Sequence, residues 1–539
     1  MGEVLQRILT GATLALLLPW PLGAQKFYPD DPVWKEPKPR AVAEVLGRKL
    51  SDYYDFFWHT FATPGERHTT REPIRARSVN TLGEVPDGAW YANRHGRTRM
   101  SVEELVRGPG ISHAPDVSGP WKVVGAKTEG VTPGFTIEDA RGARYLLKVD
   151  PAEHPEMATA ADVVGAKFFY ALGYHVPENY VVTFERRQLR VDPTSVLTDP
   201  LGKKRKMNER DVDEVLLNVP RDSHKRYRAV ASLMLKGWLG PFRFHGVRAD
   251  DPNDVIPHEH RRDLRGLFVF CAWLGHNDIK SLNNLDTLVE EDGVRYIKHH
   301  LIDFGAALGS DSFTAKSPRA GNQYLFEFRR SIIQILTLGL YVPRWAKARY
   351  PHLPAVGRFE SEVFEPERWK PNYPNPAFRN RLPDDNFWAA KQVMAFSDEE
   401  IRALVATGEY SDPRAVDWIT KCLIVRRDKI GKAYLARVLP LDRFEVRNNR
   451  LEFEDLAVKH KFVPPRQYQV QWSRFDNLTG RKTPLAGRTL LEIPPELEPA
   501  TAGEYFCAEL RAADPHKTVT VYLRRGERGT QVVGIDRTW

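Results

Sequence analysis

Two polar motifs bracket a short hairpin near the middle of the chain, and no other feature narrows the fold as much. The first is His276-Asn277-Asp278-Ile279-Lys280-Ser281-Leu282-Asn283, and the second is Asp303-Phe304-Gly305. Between them, Leu285–Val289 and Val294–Leu301 read as paired strands, with Glu290–Gly293 as their turn. The run Arg261–Leu274 has an apolar face at helical spacing and leads into the first motif. A loop of this length lets Asp278 face one way while Asn283 turns back, and Asp303 stands at the end of the second strand.

Phosphoryl transfer asks little covalent chemistry of a protein. It needs a cation on the α/β-phosphates, a carboxylate that orients the nucleophile, and oxygen ligands for Mg²⁺. Asp278 is the candidate base, and Asn283 and Asp303 are candidate metal ligands. Phe304 is expected to pack inward and Gly305 to free the turn. Lys148 interrupts the apolar strand Tyr145-Leu146-Leu147-Lys148-Val149, where a lysine is costly to bury without a partner. It is the candidate phosphate clamp; the competing reading is an edge-strand lysine that reaches solvent. Its acid partner is expected to be Asp162, on the inner-face register of the helix Glu156–Leu172. Glu156 competes for that role, but it lies near the helix start, where negative charge already suits the dipole. Gly125, Gly130 and Gly134 punctuate the turns around the strands Trp121–Val124 and Phe135–Glu138.

The order Lys148, helical acid, H-x-D-x-K-x-x-N, D-F-G resembles the protein-kinase-like superfamily. The phrase Phe169-Tyr170-Ala171-Leu172-Gly173-Tyr174-His175-Val176-Pro177 is similar to the helix-to-strand junction of HipA-like atypical kinases. An export signal on such a core, read from Arg7, the apolar run Ile8–Leu18 and Leu22-Gly23-Ala24, resembles CotH-like and secretory-pathway kinases. The resemblance covers roughly Trp121 to Val438. It implies an α+β, bilobal core, with an antiparallel β N-lobe at 121–240 and a helical C-lobe at 241–440. It also implies ATP and Mg²⁺ as cofactors, Gly130 and Gly134 as the glycines in contact with the nucleotide, and Lys280 as the lysine that supports the transferring phosphate. The chain departs from the family pattern in three ways: it has no G-x-G-x-x-G, Asp stands for Glu in the helix, and no A-P-E follows D-F-G. The last departure leaves the acceptor open, protein or small molecule.

At the N-terminus, Arg7 precedes the apolar run Ile8–Leu18, and Leu22-Gly23-Ala24 ends in small residues. This pattern predicts a signal peptide over 1–24 and a mature chain from Gln25, exported to the periplasm, cell surface or exterior. A membrane anchor or a buried helix is the competing reading. No other stretch reaches the ~20 apolar residues that span a bilayer. Residues 25–120 read as a Pro-rich extension with a helical patch at Ala41–Thr60. Tyr324 to about Val438 reads as mostly helical, interrupted by a Pro- and Trp-rich loop at Phe364–Pro383.

Residues 441–539 read as a separate β domain. In it, Gly503-Glu504-Tyr505-Phe506-Cys507 resembles the tyrosine-corner approach of an immunoglobulin-like sandwich, with Trp472 upstream. No partner cysteine is present in this domain, so the signature is incomplete.

Composition adds exclusions. Three cysteines rule out a disulfide framework or a zinc site. The net charge of +9 suits anionic partners such as nucleotides, but it is spread over 539 residues. Lys203-Lys204-Arg205-Lys206 reads as a solvated loop, and no nucleic-acid partner is expected. His258-Glu259-His260 reads as a helix entry rather than a metal site, and His299 and His300 point to opposite faces of a strand.

The leading expectation is thus an exported Mg·ATP-dependent phosphotransferase. The contrasting one is a non-catalytic kinase-fold scaffold whose β domain binds an envelope polymer or protein partner, because ATP is scarce outside the cytoplasm. Transfer of AMP by the same residues is a third.

Overall fold

The structure is a computed structural model that describes residues 25–69, 72–126, 134–198, 204–328, 332, 335–338, 340–486, 490–497, 503–527 and 529–539. The expected signal segment 1–24 and Gly130 lie outside them.

The N-terminal segment runs extended over the rest of the molecule. Among the described residues before 69, its one α-helix is α1 (Asp52–Phe57), continued by a single π-turn at Trp58–Ala62. The expected helix from Ala41 does not form, because its main-chain donors are spent elsewhere. The Val42 N–H bonds the Arg295 carbonyl at 2.9 Å, and the Arg48 N–H bonds that of Leu239 at 2.5 Å.

A six-stranded sheet follows. Its members are β1 (Trp121–Ala126), β2 (Gly134–Glu138), β3 (Arg144–Val149), β4 (Asn179–Phe184), β5 (Leu189–Val191) and β8 (Tyr227–Leu233); β6 (Val196–Thr198) and β7 (Lys204–Lys206) form a separate ribbon. The order is β4-β8-β3-β2-β1-β5, antiparallel except for the β1–β5 pair. Strand alternation buries Trp121, Phe135, Ile137, Tyr145 and Leu147 in one core. Lys148 therefore faces the opposite side, where α2 (Met157–Ala171) lies. Because β3 pairs with both β2 and β8, Lys148 is not on an edge strand.

The third layer is helical. β9 (Trp238–Gly240), β10 (Asn284–Glu291) and β11 (Val294–Leu301) make a small sheet beside α3 (Arg262–Leu274). The β10–β11 turn is only Asp292-Gly293, with φ of 50° and 72°. Positive φ at both central residues is the tight hairpin geometry whose twist matches the strands, so pairing runs further toward the turn than the sequence indicates. α3 packs on α4 (Pro383–Met394) and α6 (Pro413–Leu435), with α5 (Asp398–Ala406) against α6. Their shared core holds Phe168, Trp273, Phe304, Trp388 and Phe396. Between 340 and 363, where helix was expected, the structure has only a 3₁₀ turn at Arg344–Lys347; the expected loop from Phe364 carries another at Pro366–Arg368. Pro343, Pro351 and Pro354 remove donors that a helix over 340–363 would need.

At the C-terminus, β12 (Leu441–Arg447) and β13 (Arg450–Asp455) form a ribbon. β14 (Gln469–Phe475), β15 (Lys482–Pro484), β16 (Tyr505–Arg511), β17 (Thr518–Gly526) and β18 (Gly529–Arg537) form one antiparallel sheet, ordered β15-β14-β16-β17-β18. Leu441 and Leu451 of the ribbon share a core with Trp472 and Phe506. Phe27 from the N-terminal segment joins Phe475, Cys507 and Tyr522 in a second cluster. Cys507 is a free thiol on the strand that pairs with the one carrying Trp472.

Candidate active site

The site forms where β3, α2 and the turn after β11 meet. Lys148 Nζ lies 2.7 Å from Asp162 Oδ2 and 2.9 Å from Asp303 Oδ1. The other oxygen of Asp162 accepts from the Phe304 N–H at 3.0 Å and from Asn179 Nδ2 at 3.1 Å. A buried carboxylate thus has both oxygens engaged. Burial pulls the Lys148 pKa down, but the carboxylates of Asp162 and Asp303 outweigh it and hold the ammonium above its ordinary range. Glu156, the competing acid, is at the N-terminal boundary of α2, where its Oε2 accepts from the Ser411 N–H at 2.9 Å.

Exposure grades across this trio. The side chains of Lys148 and Asp162 are 9% and 1% exposed, and that of Asp303 is 35% exposed. Asp303 also has φ 61°, an unusual conformation for a residue with a side chain. Phe304 turns inward, stacks on Phe169 with centroids 5.1 Å apart, and packs over Gly165 of α2. A Cβ on Gly165 would lie 2.7 Å from Phe304 Cβ. The sequence signal for Gly165 was only a glycine in mid-helix, where it is normally unfavourable.

The second half of the site is the loop after α3, which ends at Gly275 with φ 65°. His276 is buried, with Nδ1 3.3 Å from the Ala306 carbonyl, and burial pushes its pKa down to about 4. It is therefore a neutral tie between the loop and the turn after Asp303. Asn283 Nδ2 donates to Asp278 Oδ2 at 3.0 Å and to the Asp278 carbonyl at 2.6 Å. Those two bonds fix the amide and leave Oδ1 as its acceptor atom. Burial raises the pKa of Asp278, against the pull of Lys280 and Asn283. Lys280 Nζ is 3.6 Å from Asp278 Oδ2 and 2.9 Å from Asp52 Oδ2 of α1.

Sequence reading missed several members of this cluster. Asn372 Nδ2 donates to Asp278 Oδ1 at 3.0 Å, and the Asn372 N–H bonds the Asn277 carbonyl at 2.8 Å. Lys316, also buried, donates to Asn277 Oδ1, and desolvation lowers its pKa to about 8. Asp55 of α1 accepts from Ser281 Oγ at 3.0 Å and from the Tyr373 hydroxyl at 2.7 Å. None of these residues has a local signature, because each arrives from a distant segment.

Gly134 stands opposite Lys148 in the β2–β3 ladder, and a Cβ there would lie 2.1 Å from the Leu147 carbonyl oxygen. Close strand packing accounts for that glycine. Gly130 lies outside the described residues.

No group of three or more His, Cys, Asp or Glu side chains gathers as a metal cage among the described residues. His258 and His260 are engaged separately by Asp254 and Glu66, each at 2.8 Å. His299 bonds Asp286 while His300 faces Thr287, so the pair does not chelate. The oxygen donors of Asp303 and Asn283 nonetheless suit Mg²⁺, which keeps several waters and takes phosphate oxygens beside one or two protein ligands.

No protein-family model matches the chain, and no curated protein matches its sequence. Among solved structures it is similar to the Helicobacter pylori proinflammatory kinase CtkA, at 12% identity over 57% of this chain and 93% of that one, with a TM-score of 0.29. It is also similar to the golgi casein kinase, at 10% identity over 59% of this chain and 75% of that one, with a TM-score of 0.28. Likenesses at this level carry no argument about fold or activity.

Proposed function

We propose that this chain is a kinase-like phosphotransferase that moves a phosphoryl group from Mg·ATP to an acceptor hydroxyl. One observation carries the reading: Lys148 Nζ is held between Asp162 and Asp303 at 2.7 and 2.9 Å. A strand cation, a helix acid and the acid after a hairpin thus share one point, the arrangement that phosphoryl transfer by positioning and electrostatics asks for.

In this reading the six-stranded sheet and the helical layer are two lobes with the site between them. Lys148 binds the α/β-phosphates, and Asp162 orients it. Asp303 and Asn283 hold Mg²⁺, which neutralises charge on the phosphates when bound. Asp278 orients the acceptor hydroxyl and takes its proton, while Lys280 supports the transferring group. The raised pKa of Asp278 makes it a better base than an ordinary carboxylate. The N-terminal segment 1–24 directs export, and among the described residues no helix is long and apolar enough to cross a membrane.

The test compares Mg²⁺-dependent ATP binding and turnover of the wild type, Asp303→Asn and Asp278→Asn. Asp303→Asn should weaken metal-dependent nucleotide binding and abolish transfer. Asp278→Asn should bind nucleotide almost normally and lose at least ~10²-fold in turnover. Absence of turnover from all three, including the wild type, would favour the scaffold reading. AMP appearing on the acceptor would mean nucleotidyl transfer.

A further inference from the structure

A cavity of about 480 Å³ is lined by Lys370 and Pro371, which lead into Asn372, and walled in part by Tyr324, Trp345, Trp369, Asn375, Arg379 and Arg381. Among the described residues, the buried side-chain polar atoms of its wall that lack a partner are all donors. Asn375 is 2% exposed, and its Oδ1 caps the following helix by accepting from the Ala377 and Phe378 N–H groups at 3.0 and 3.3 Å. That use of Oδ1 fixes the amide orientation. Nδ2 is left with nothing to donate to among the described residues, and so are Trp345 Nε1 and Arg381 Nε. Arg381 lies 3.6 Å over the Phe268 ring, and neither it nor Arg379 forms an ion pair with a carboxylate among the described residues. The carboxylates on the wall are already neutralised: Glu365 by Arg344 and Arg368, and Glu367 by Arg437. Buried donors without acceptors are costly, so the cavity is complementary to a group rich in acceptor oxygens. Two guanidinium groups beside those donors add a preference for negative charge.

The position of the cavity relates it to the base. Lys370 and Pro371 line it, and the next residue, Asn372, donates to Asp278 Oδ1 at 3.0 Å. The volume exceeds what a lone oxyanion fills, and the flat faces of Tyr324, Trp345 and Trp369 suit the body that bears it. We propose that this cavity binds an oxyanion (phosphate, sulfate or carboxylate) carried by the acceptor, whose hydroxyl then reaches Asp278. The acceptor assignment rests on the phosphotransferase reading; the oxyanion site does not.

Inorganic sulfate is the probe, titrated into the full chain by calorimetry, with the fluorescence of the pocket tryptophans as a second readout. Asn375→Asp keeps the helix cap, since Asp caps as well as Asn, but replaces the free donor with a second carboxylate oxygen. It should weaken sulfate binding by at least ~10-fold. Arg379→Glu, a change at an exposed side chain, should act in the same direction. Lys148→Met should abolish transfer and leave sulfate binding unchanged. With an acceptor in hand, Asn375→Asp should raise KM for the anionic form while kcat holds, and leave a neutral analogue unaffected. The oxyanion site is overturned if the wild type does not bind sulfate, if Asn375→Asp and Arg379→Glu bind it as well as the wild type, or if only Lys148→Met loses it. Sulfate binding without turnover in any form would overturn the acceptor assignment together with the phosphotransferase reading, while the oxyanion site stands.

Discussion

The Asp162 carboxylate accepts the Phe304 N–H at 3.0 Å through one oxygen and holds Lys148 at 2.7 Å through the other. One buried side chain therefore sets both the strand cation and the turn that presents Asp303. Asp162→Ala would leave Lys148 to Asp303 alone and the Phe304 N–H without its acceptor. The expected loss of stability is about 3 kcal/mol, the range for breaking a buried ion pair. Asp162→Asn keeps an acceptor for Phe304 and should fall between Ala and wild type. Urea unfolding of the three proteins checks the order, and equal stability of Ala and wild type would contradict it.

Gly165 and Phe304 make a second coupled pair. Gly165→Ala places a methyl 2.7 Å from Phe304 Cβ, inside van der Waals contact. The helix or the buried Phe304 must shift to admit it, so an overpacking cost of ~1–3 kcal/mol is expected. Because Phe304 follows Asp303, metal-dependent nucleotide binding should weaken as well. Nucleotide titration with and without Mg²⁺ separates this from a general loss of fold. Normal metal dependence in a folded Gly165→Ala protein would count against the coupling.

Lys316 supplies a stability signature in pH. Burial lowers its pKa to about 8, below the ordinary lysine value of about 10.4. Between those values the unfolded chain binds more protons than the folded one, so this group makes stability rise with pH. Below pH ~8 the fold carries a buried ammonium at full cost, and the cost is relieved as pH climbs toward 10. The stability of the wild type relative to Lys316→Met should therefore increase over that window. Urea unfolding of both proteins at several pH values measures it; a flat or falling difference would refute the assignment.

Asn372 should tune the base. Its Nδ2 donates to Asp278 Oδ1, which favours the ionised carboxylate. Asn372→Ala removes that donor, so Asp278 should protonate at higher pH than in the wild type. In a chain that turns over, the acid limb of kcat/KM for the acceptor should move to higher pH, with nucleotide affinity unchanged. His276 should contribute nothing to this limb at neutral pH, since burial keeps its imidazole neutral down to about pH 4. An unmoved acid limb in Asn372→Ala would mean that the limb belongs to another group.

Much of this arrangement could be read along the chain. The strand around Lys148, the helix around Asp162, the hairpin and the two motifs at its ends all carry local signals: apolar alternation, helical spacing and turn residues. The weaker readings failed for stated reasons. The segment from Ala41 has helical composition, but its N–H groups bond Arg295 and Leu239, which no local pattern reveals. The 340–363 stretch reads as helical, but Pro343, Pro351 and Pro354 each lack an N–H, and only the 3₁₀ turn Arg344–Lys347 forms there.

By itself, then, the sequence determined which residue types stand at the ends of which elements: Lys148 in a strand, Asp162 on a helix, and Asp278, Asn283 and Asp303 around a hairpin. Only the tertiary structure decided their company. Asp162 rather than Glu156 meets Lys148 because strand alternation and helix phase aim them at each other across the packed β3–α2 layer. Asn372 reaches Asp278 across 94 positions, and Asp52 reaches Lys280 across 228. Spacing along a chain fixes geometry over a turn or a strand pair. Contacts at such separations depend on how whole layers bury their apolar faces, and that is set by the sum of many weak contacts rather than by any motif.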